Sequence, residues 1–517
     1  MSELFSGWLL PVIYTLGFLL AFSQKAYHWP IARISALTAL AVTLAAAAGA
    51  LLWSQFQVLQ FDKLGITLAL LVSLLGWVII NYSFRYLAGE PGQARFVRSM
   101  LFTLACVSVL VVSNHLVVIV LAWSGTSIGL HYLLTFYRER KAAQIVAHKK
   151  FIVSRLADLC LLVALVLIYN ATGSLTLPDI SAQLQGMDSL PSALHWATVL
   201  FALAAILKSA QLPLHGWLIQ VMEAPTPVSA LLHAGVVNIG GFVLIRLAEL
   251  VALAPAAQIL LVVVGSLTAV LAGLVMMTRI SIKVRLAWST CAQMGFMLME
   301  VGLGLYELAL LHLVAHSLYK AYAFLSAGDR VAEARQNDFA PQGKQDHSLL
   351  RYLGSFAVTS VAVAGSVALW QALIPSLQVP LAAAVIVALG LAPLLWLERG
   401  PAPGLAIRGL LQTLALTQLY LVWHVLFAGL APAASDSASW LVGWTMLCFT
   451  LLYAAQIWLR RHPHGRFARQ MYPWAYCGFY LDETFTRLTF KFWPARLSPV
   501  QARTLVNRHP ADLGDLV

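Results

Sequence analysis

Apolar runs of about 20 residues recur from one end of this chain to the other, separated by short polar breaks. A helix of that length crosses the hydrocarbon of a bilayer, and lipid requires every backbone polar group to be satisfied within the segment. The expected fold is therefore all-α and integral to a membrane, with no room between the runs for a large soluble domain. Charge is scarce enough to agree: 60% of the 517 residues are hydrophobic and 10% are charged. About fifteen spans are predicted. They lie at roughly 8–23, 32–53, 64–86, 97–113, 114–136, 150–170, 193–213, 226–250, 256–278, 284–304, 306–327, 352–374, 379–397, 405–429 and 440–459. The first run, Leu9 to Phe22, has no basic segment ahead of it and no small-residue cleavage site behind it, so a retained helix is expected and not a removed signal.

The basic residues fall in one alternating set of loops. These hold Lys25 and Arg33; Arg85, Arg95 and Arg98; Arg138, Arg140, Lys141, Lys149 and Lys150; Arg279, Lys283 and Arg285; Arg330, Arg335 and Lys344; and Arg399 and Arg408. The other set offers little beyond Lys63, and the long loop from Ala171 to His195 has Asp179 and Asp188 but neither Lys nor Arg. The positive-inside rule then places the N-terminus in the periplasm and the C-terminus in the cytoplasm of a bacterial inner membrane. Topology accounts for the net charge of +12 without a nucleic-acid partner. The five cysteines (Cys106, Cys160, Cys291, Cys448, Cys477) form no CxxC pair, and four lie inside apolar runs, which is the pattern of reduced packing residues and not of metal ligands.

Residues 1–459 read as the transmembrane region, with a conducting core at about 97–327, and 460–517 as a cytoplasmic amphipathic tail. The tail opens with Arg460, Arg461, Arg466 and Arg469 and continues into Tyr480–Trp493, which mixes aromatics with Asp482, Glu483, Arg487 and Lys491. Such a helix either lies on the membrane surface or docks a partner. The loop Gly328–Arg351, of mixed charge, is a second docking surface; His462 and His464 flank a proline in a solvated stretch and are not expected to hold metal.

Ionisable groups inside the apolar runs carry the functional argument. A charge at the bilayer centre costs at least about 2.5–3.5 kcal/mol, so a retained one needs a compensating role. Lys208 lies in FALAAILKSAQLPL, ahead of Pro213, which removes an amide donor and breaks the helix. A lysine beside a helix break has the design of an ion-carrier site in a transporter; the bland alternative is a snorkelling lysine near a helix end. Arg155 and Asp158 share one helix face, so they either pair with each other as a static strut or lend Lys208 a carboxylate. His312, His316 and Lys320 form a stripe rising about 6 Å per step, which suits proton hopping through water. His233, at the head of the eighth span after two prolines, is the intermediate carrier. Lys283 stands at a cytoplasmic helix end, as an exit group or a topological charge; Glu223 either guards a cytoplasmic entrance or shapes a loop. Glu249, Glu300 and Glu307 fall near periplasmic helix ends, where solvation is expected.

Three stretches resemble the antiporter-like core of the complex I L subunit and of multisubunit sodium/proton antiporters: LKSAQLPLHGWLIQVMEAPTPVSALLHAGVVNIGGFVLIR (207–246), IKVRLAWSTCAQMGFM (282–297) and HLVAHSLYKAYAFLSAG (312–328). YLDETF near the tail and, more weakly, residues 93–180 are similar to the same family. The resemblance implies inverted repeats, a proton-carrying role for Lys208 in a broken helix, and relay roles for His233, His312, His316 and Lys320, with Asp158 and Arg155 at family positions. Two departures stand out. Ser124, in Ala122-Trp123-Ser124-Gly125, occupies the place of a family glutamate, and no lysine occurs between Lys344 and Lys491 to match one in the second broken helix. A complete complex I pump module needs both groups.

The wording HGWLIQVMEAPTPVSALLHAG, the shortened second half and the stop soon after YLDETF are similar to the DabB family, membrane subunits of an inorganic-carbon accumulation system. In that family the membrane subunit pairs with DabA, a zinc protein resembling a β-carbonic anhydrase, on the cytoplasmic side. The resemblance implies a transport subunit that is no enzyme itself and passes protons or sodium ions to drive CO2 or bicarbonate accumulation. No cofactor is expected in this chain, since it offers no zinc ligand set; zinc is expected in the partner. The rival reading is a proton-pumping subunit of an NADH:quinone oxidoreductase or of a multisubunit cation/proton antiporter.

Overall fold

The computed structural model describes residues 7–52, 62–187, 189–329, 348–397, 403–435 and 437–492. Among the described residues there is no strand, and the sole extended pairing is an isolated bridge between His115 and Thr176. The chain runs through α1 (Leu9–Ser23), α2 (His28–Leu52), α3 (Lys63–Tyr86), α4 (Gln93–Val112), α5 (Leu116–Leu134), α6 (Lys141–Thr172), α7 (Leu177–Leu184) and α8 (Ser192–Lys208). It continues through α9 (Gly216–Ile219), α10 (Thr226–Ala234), α11 (Ile239–Arg246), α12 (Ala248–Ala252), α13 (Pro255–Met276), α14 (Ile282–Gly302) and α15 (Tyr306–Leu325). Then follow α16 (Leu349–Leu373), α17 (Leu381–Leu391), α18 (Pro393–Leu397), α19 (Pro403–Phe427), α20 (Ser439–Arg461), α21 (Arg466–Tyr476) and α22 (Leu481–Phe492).

Every expected span falls on one of these helices or on a broken pair. By length and hydropathy, however, eleven helices among the described residues qualify to cross a membrane, with three shorter apolar ones, Leu9–Ser23, Ser192–Lys208 and Leu381–Trp396, beside them. α14 is in neither set and carries Lys283, Arg285 and Glu300. In the 18-residue apolar window of Thr226–Arg246, 94% of the residues are buried, against 22% in that of Leu349–Leu373. The first forms the axis of the bundle; the second is a flank whose exposed Leu350, Val361 and Leu373 suit a lipid surface.

Two breaks set the geometry of the core. The seventh span was expected to run to Pro213, but α8 ends at Lys208, Ser209 caps it and Ala210 adopts φ +54. A proline pushes the residue before it out of the α region, so the helix stops upstream of the ring. The eighth span, expected as one piece, breaks at Gly235 (φ −121, ψ −75) and passes through a turn at Val236–Asn238. Asn238 mends the interruption: its Nδ2 donates to the Ala234 carbonyl at 3.0 Å and to Ser317 Oγ on α15 at 2.7 Å.

α13 and α14 meet backbone to backbone. A Cβ on Gly295 would stand 2.6 Å from the Gly265 carbonyl oxygen, and one on Gly265 would stand 2.5 Å from that of Gly295. Small residues permit such an approach between helices in lipid. The tail was expected as one amphipathic helix over Tyr480–Trp493. Instead α21 and α22 are joined through Gly478, Phe479 and Tyr480, all at positive φ, and α22 packs against α6 of the same chain. The remainder of the tail beyond residue 492, and residues 330–347 of the loop expected to dock a partner, lie outside the described residues.

Candidate functional site

α8 delivers Lys208 as its last residue into the interior, where the side chain is 4% exposed. An ammonium removed from water needs a counter-charge, and α6 supplies it: Asp158 Oδ1 accepts from Lys208 Nζ at 2.6 Å. The same oxygen accepts from Ser124 Oγ of α5 at 2.7 Å, and the face of Trp123 lies 4.8 Å from Nζ. Arg155, one turn before Asp158, brings a guanidinium nitrogen to 2.7 Å of Oδ2, close in charge but off the hydrogen-bond line. Of the two readings open for Arg155 and Asp158, the geometry gives both at once: a strut along α6 and a carboxylate for Lys208.

Lys149 and Lys150, assigned above to a cytoplasmic loop, are corrected by the structure. α6 begins at Lys141, and both lysines are buried within it. Lys150 Nζ donates to the Ser127 carbonyl at 3.1 Å and shares with Lys208 a cavity of about 10 Å³, on the order of one water. Trp123, Thr126, Ser127, Ser154 and Trp217 also line it. Lys149, one residue earlier, donates to both carboxylate oxygens of Asp482 in α22 at 2.8 Å and to Gln220 Oε1 at 3.1 Å. Asp482 fits because residue 216 is glycine: a Cβ there would stand 1.5 Å from Asp482 Oδ1. The tail is thus pinned on the broken segment that follows Lys208.

Removing one member of such a pair strands the other. Asp482→Ala is expected to cost about 3 kcal/mol, loosening α22 by about a hundredfold in open population. Trypsin cleavage at Arg487 and Lys491 in detergent-solubilised protein reads this directly. An unchanged cleavage rate would mean that Lys149 does not hold the tail.

A second group gathers on α15. Lys320 Nζ donates to the Leu286 carbonyl at 2.9 Å and to Ser289 Oγ at 2.7 Å, both on α14. It lies within electrostatic reach of His233 on α10 and of His316 one turn back. His233 stacks on Phe324 at 4.4 Å between ring centroids; both its ring nitrogens, and both of His316, are buried without a hydrogen-bond partner among the described residues. Buried polar atoms of that kind call for water between them. The rings of His312 and His316 stand 6.1 Å apart, and His312 Nδ1 meets Glu300 Oε2 at 2.8 Å.

Glu300 is the second correction, since it is 2% exposed and paired, not solvated at a helix end. Glu249 and Glu307 do remain near the surface, accepting from Ser181 at 2.9 Å and from the Gly429 amide at 2.5 Å. Among the described residues no hydrogen bond joins Lys208 to His233, although the cavity beside Lys208 reaches Leu232, the neighbour of His233.

The remaining two candidates stand apart from both groups. Lys283 donates to Thr226 Oγ1 at 2.8 Å, tying the start of α14 to the start of α10. Glu223 forms a half-exposed pair with Arg140 at 3.5 Å, a contact of little energetic weight. Among the described residues no group of three or more His, Cys, Asp or Glu is arranged to hold a metal ion.

The family model described as NADH:quinone oxidoreductase/Mrp antiporter, transmembrane, matches residues 113–344, and one described as complex I chain 5 N-terminus matches residues 57–97. A probable inorganic carbon transporter subunit DabB of Hydrogenovibrio crunogenus is 38% identical over 506 residues, 95% of this chain and 94% of that protein. The probable subunit DabB2 of Halothiobacillus neapolitanus is 40% identical over 475 residues, 88% of this chain and 84% of that protein. NADH-quinone oxidoreductase subunit L of Escherichia coli is 34% identical over 300 residues, which is 57% of this chain and 49% of that protein. Among solved structures, the Mrp complex from Dietzia superposes with a TM-score of 0.57 at 21% identity, over 98% of this chain and 60% of that one. The archaeal membrane-bound sulfane sulfur reductase gives 0.57 at 16%, over 93% and 99%. At those identities the likeness speaks for the antiporter-like fold.

Proposed function

The chain belongs to the DabB family of inorganic carbon transporter subunits, a membrane-embedded branch of the antiporter-like proteins, and on that footing we propose that it conducts protons or sodium ions to drive a bound partner. The observation that carries the reading is the buried Asp158–Lys208 pair at an interrupted helix, with a line of ionisable groups from Lys320 to Glu300 in the same bundle. The cation enters from the periplasm at Glu300 and His312, passes His316, Lys320 and His233, and is handed to Lys208. Asp158 sets the affinity of Lys208 by its distance, and Ser124 and Arg155 hold that carboxylate in place. Histidine suits the intermediate steps because small changes in surroundings move its proton on or off. Lys283 and Glu223 act at the cytoplasmic rim.

In this reading the chain lies in the bacterial inner membrane with its N-terminus in the periplasm and its C-terminus in the cytoplasm. It performs no chemistry on carbon. A zinc protein of the carbonic-anhydrase kind, DabA-like and bound on the cytoplasmic side, interconverts CO2 and bicarbonate, and cation flow makes that conversion run toward accumulation. Support comes from the family, two of whose members are named as probable inorganic carbon transporter subunits. Purification by an affinity tag in mild detergent is expected to bring down a zinc-containing partner, with zinc in the complex and none in the separated membrane subunit. Recovery with iron-sulfur and quinone-reducing subunits instead would overturn the reading in favour of a redox-driven pump.

A further inference from the structure

We propose that Lys150 is a second proton-carrying group of the Lys208 site, taking the proton from Lys208 across the small cavity between them and passing it toward the cytoplasmic mouth. The proposal rests on the reading of Lys208 as a carrier. Lys150 is 4% exposed, yet among the described residues its one hydrogen bond goes to a backbone carbonyl, that of Ser127. An ammonium has three protons to place, and a carbonyl supplies only part of what a counter-ion would. The nearby carboxylate, Asp158, is already committed to Lys208, Ser124 and Arg155.

The groups around Lys150 explain why it handles a proton and does not simply fill space. α8 presents Lys208, α6 itself presents Arg155 and Asp158, and α5 presents the Ser127 carbonyl and His131, which also faces His148 of α6. The segment across the cavity contributes Trp217, Leu232, Val236 and Val237, none of which titrates. Two lysines therefore border one cavity of about 10 Å³ that, among the described residues, no carboxylate lines, with Asp158 behind Lys208 and with Thr126, Ser127 and Ser154 at its wall. Simultaneous charging of both amines is disfavoured because like charges repel in a medium that screens poorly. One proton shared between two amines is the favoured state, and a single bridging water completes the route. The N–H bond on Lys208 breaks as one forms on the water, and a water O–H breaks as an N–H forms on Lys150, so charge and protons balance.

Lys149 precedes Lys150 on α6 and is held by Asp482 of the tail helix, so the cavity that Lys150 lines and the contact that pins the tail are served by neighbouring residues of one helix.

The test uses the full complex, purified with its partner and reconstituted into liposomes, with proton uptake followed by an internal pH dye. Lys150→Met removes the amine, and Lys150→Arg keeps a positive charge that does not release its proton. Both are expected to slow uptake by at least about tenfold. A purely electrostatic or packing role would instead leave Lys150→Arg near wild type. Removing an unpaired buried charge is also expected to hold or raise the melting temperature of Lys150→Met, which separates lost conduction from lost folding. Should Lys150→Arg not accumulate, Lys150→Met decides alone. Wild-type uptake in Lys150→Met, full uptake in Lys150→Arg, or a complex that carries sodium and no protons would each overturn the proposal. Lys208→Met, run in parallel, keeps the underlying reading separate: if that variant conducts normally the carrier site itself is wrong, and if it alone is dead the error lies with Lys150.

Discussion

Lys208→Met is expected to lower cation flux through the reconstituted complex by at least about a hundredfold while the protein still folds and assembles. Methionine keeps the length and apolar stem of lysine and deletes only the ammonium, so the packing against Trp123 survives and the proposed carrier group does not. Asp158 retains Ser124 at 2.7 Å and the partly exposed Arg155, which limits the destabilisation. The reverse deletion behaves differently. Asp158→Ala leaves Lys208 buried without its carboxylate, at a cost of about 3–5 kcal/mol, and is expected to fall furthest in thermal stability. The double variant should recover much of that loss and none of the flux, so the double-mutant cycle is strongly non-additive, with the double less destabilised than the sum of the singles. Flux from the pH dye and melting in detergent are the two measurements. Additive melting shifts would mean that the 2.6 Å contact contributes nothing to the fold.

That cycle also shows what a sequence makes visible. Lys208 was legible because it interrupts an apolar run just ahead of a proline, and lipid makes such a charge conspicuous. His312, His316 and Lys320 were legible because they repeat at the spacing of one helix face. Lys149 and Lys150 were not, since they continue a basic run that begins at Arg138 and looks like a topological signal. The available clue was that no Gly or Pro occurs between Lys141 and Thr172, so nothing stops the helix from starting earlier than the hydropathy suggests. Glu300 was read as a helix-end charge because its partner His312 lies across the turn at Gly304, a pairing made by tertiary packing alone. Asp482 and Lys149 are 333 positions apart, and no local pattern joins them. The overall helical bundle was legible for a plainer reason: the bilayer imposes one length on every span. The count of spans was less so, because α8 is cut short and α14 carries charge inside the bundle.

Gly295→Val is expected to be among the most damaging substitutions outside the ionisable groups. A Cβ at this position meets the Gly265 carbonyl oxygen at 2.6 Å, the Ala269 amide nitrogen at 2.9 Å and the Thr268 Cβ at 3.0 Å, and the first two belong to the backbone of α13 and cannot turn aside. The helices must part. Overpacking of a close interface costs about 1–3 kcal/mol, more when rigid backbone is the obstacle, so Gly295→Ala is expected to lower the melting temperature measurably and Gly295→Val to reduce membrane accumulation severely. The effect reaches the proposed conducting groups because α14 holds them from one side: Leu286 and Ser289 fix Lys320, and Glu300 fixes His312. Gly273 is the control, on α13 itself, where a Cβ meets only Leu452 at 3.9 Å. Gly273→Ala is expected to be neutral or slightly stabilising through helix propensity. If Gly295→Ala melts with the wild type and conducts at its rate, the spacing of α13 and α14 is not what positions Lys320, and its two acceptors on α14 must tolerate displacement of the helix that carries them.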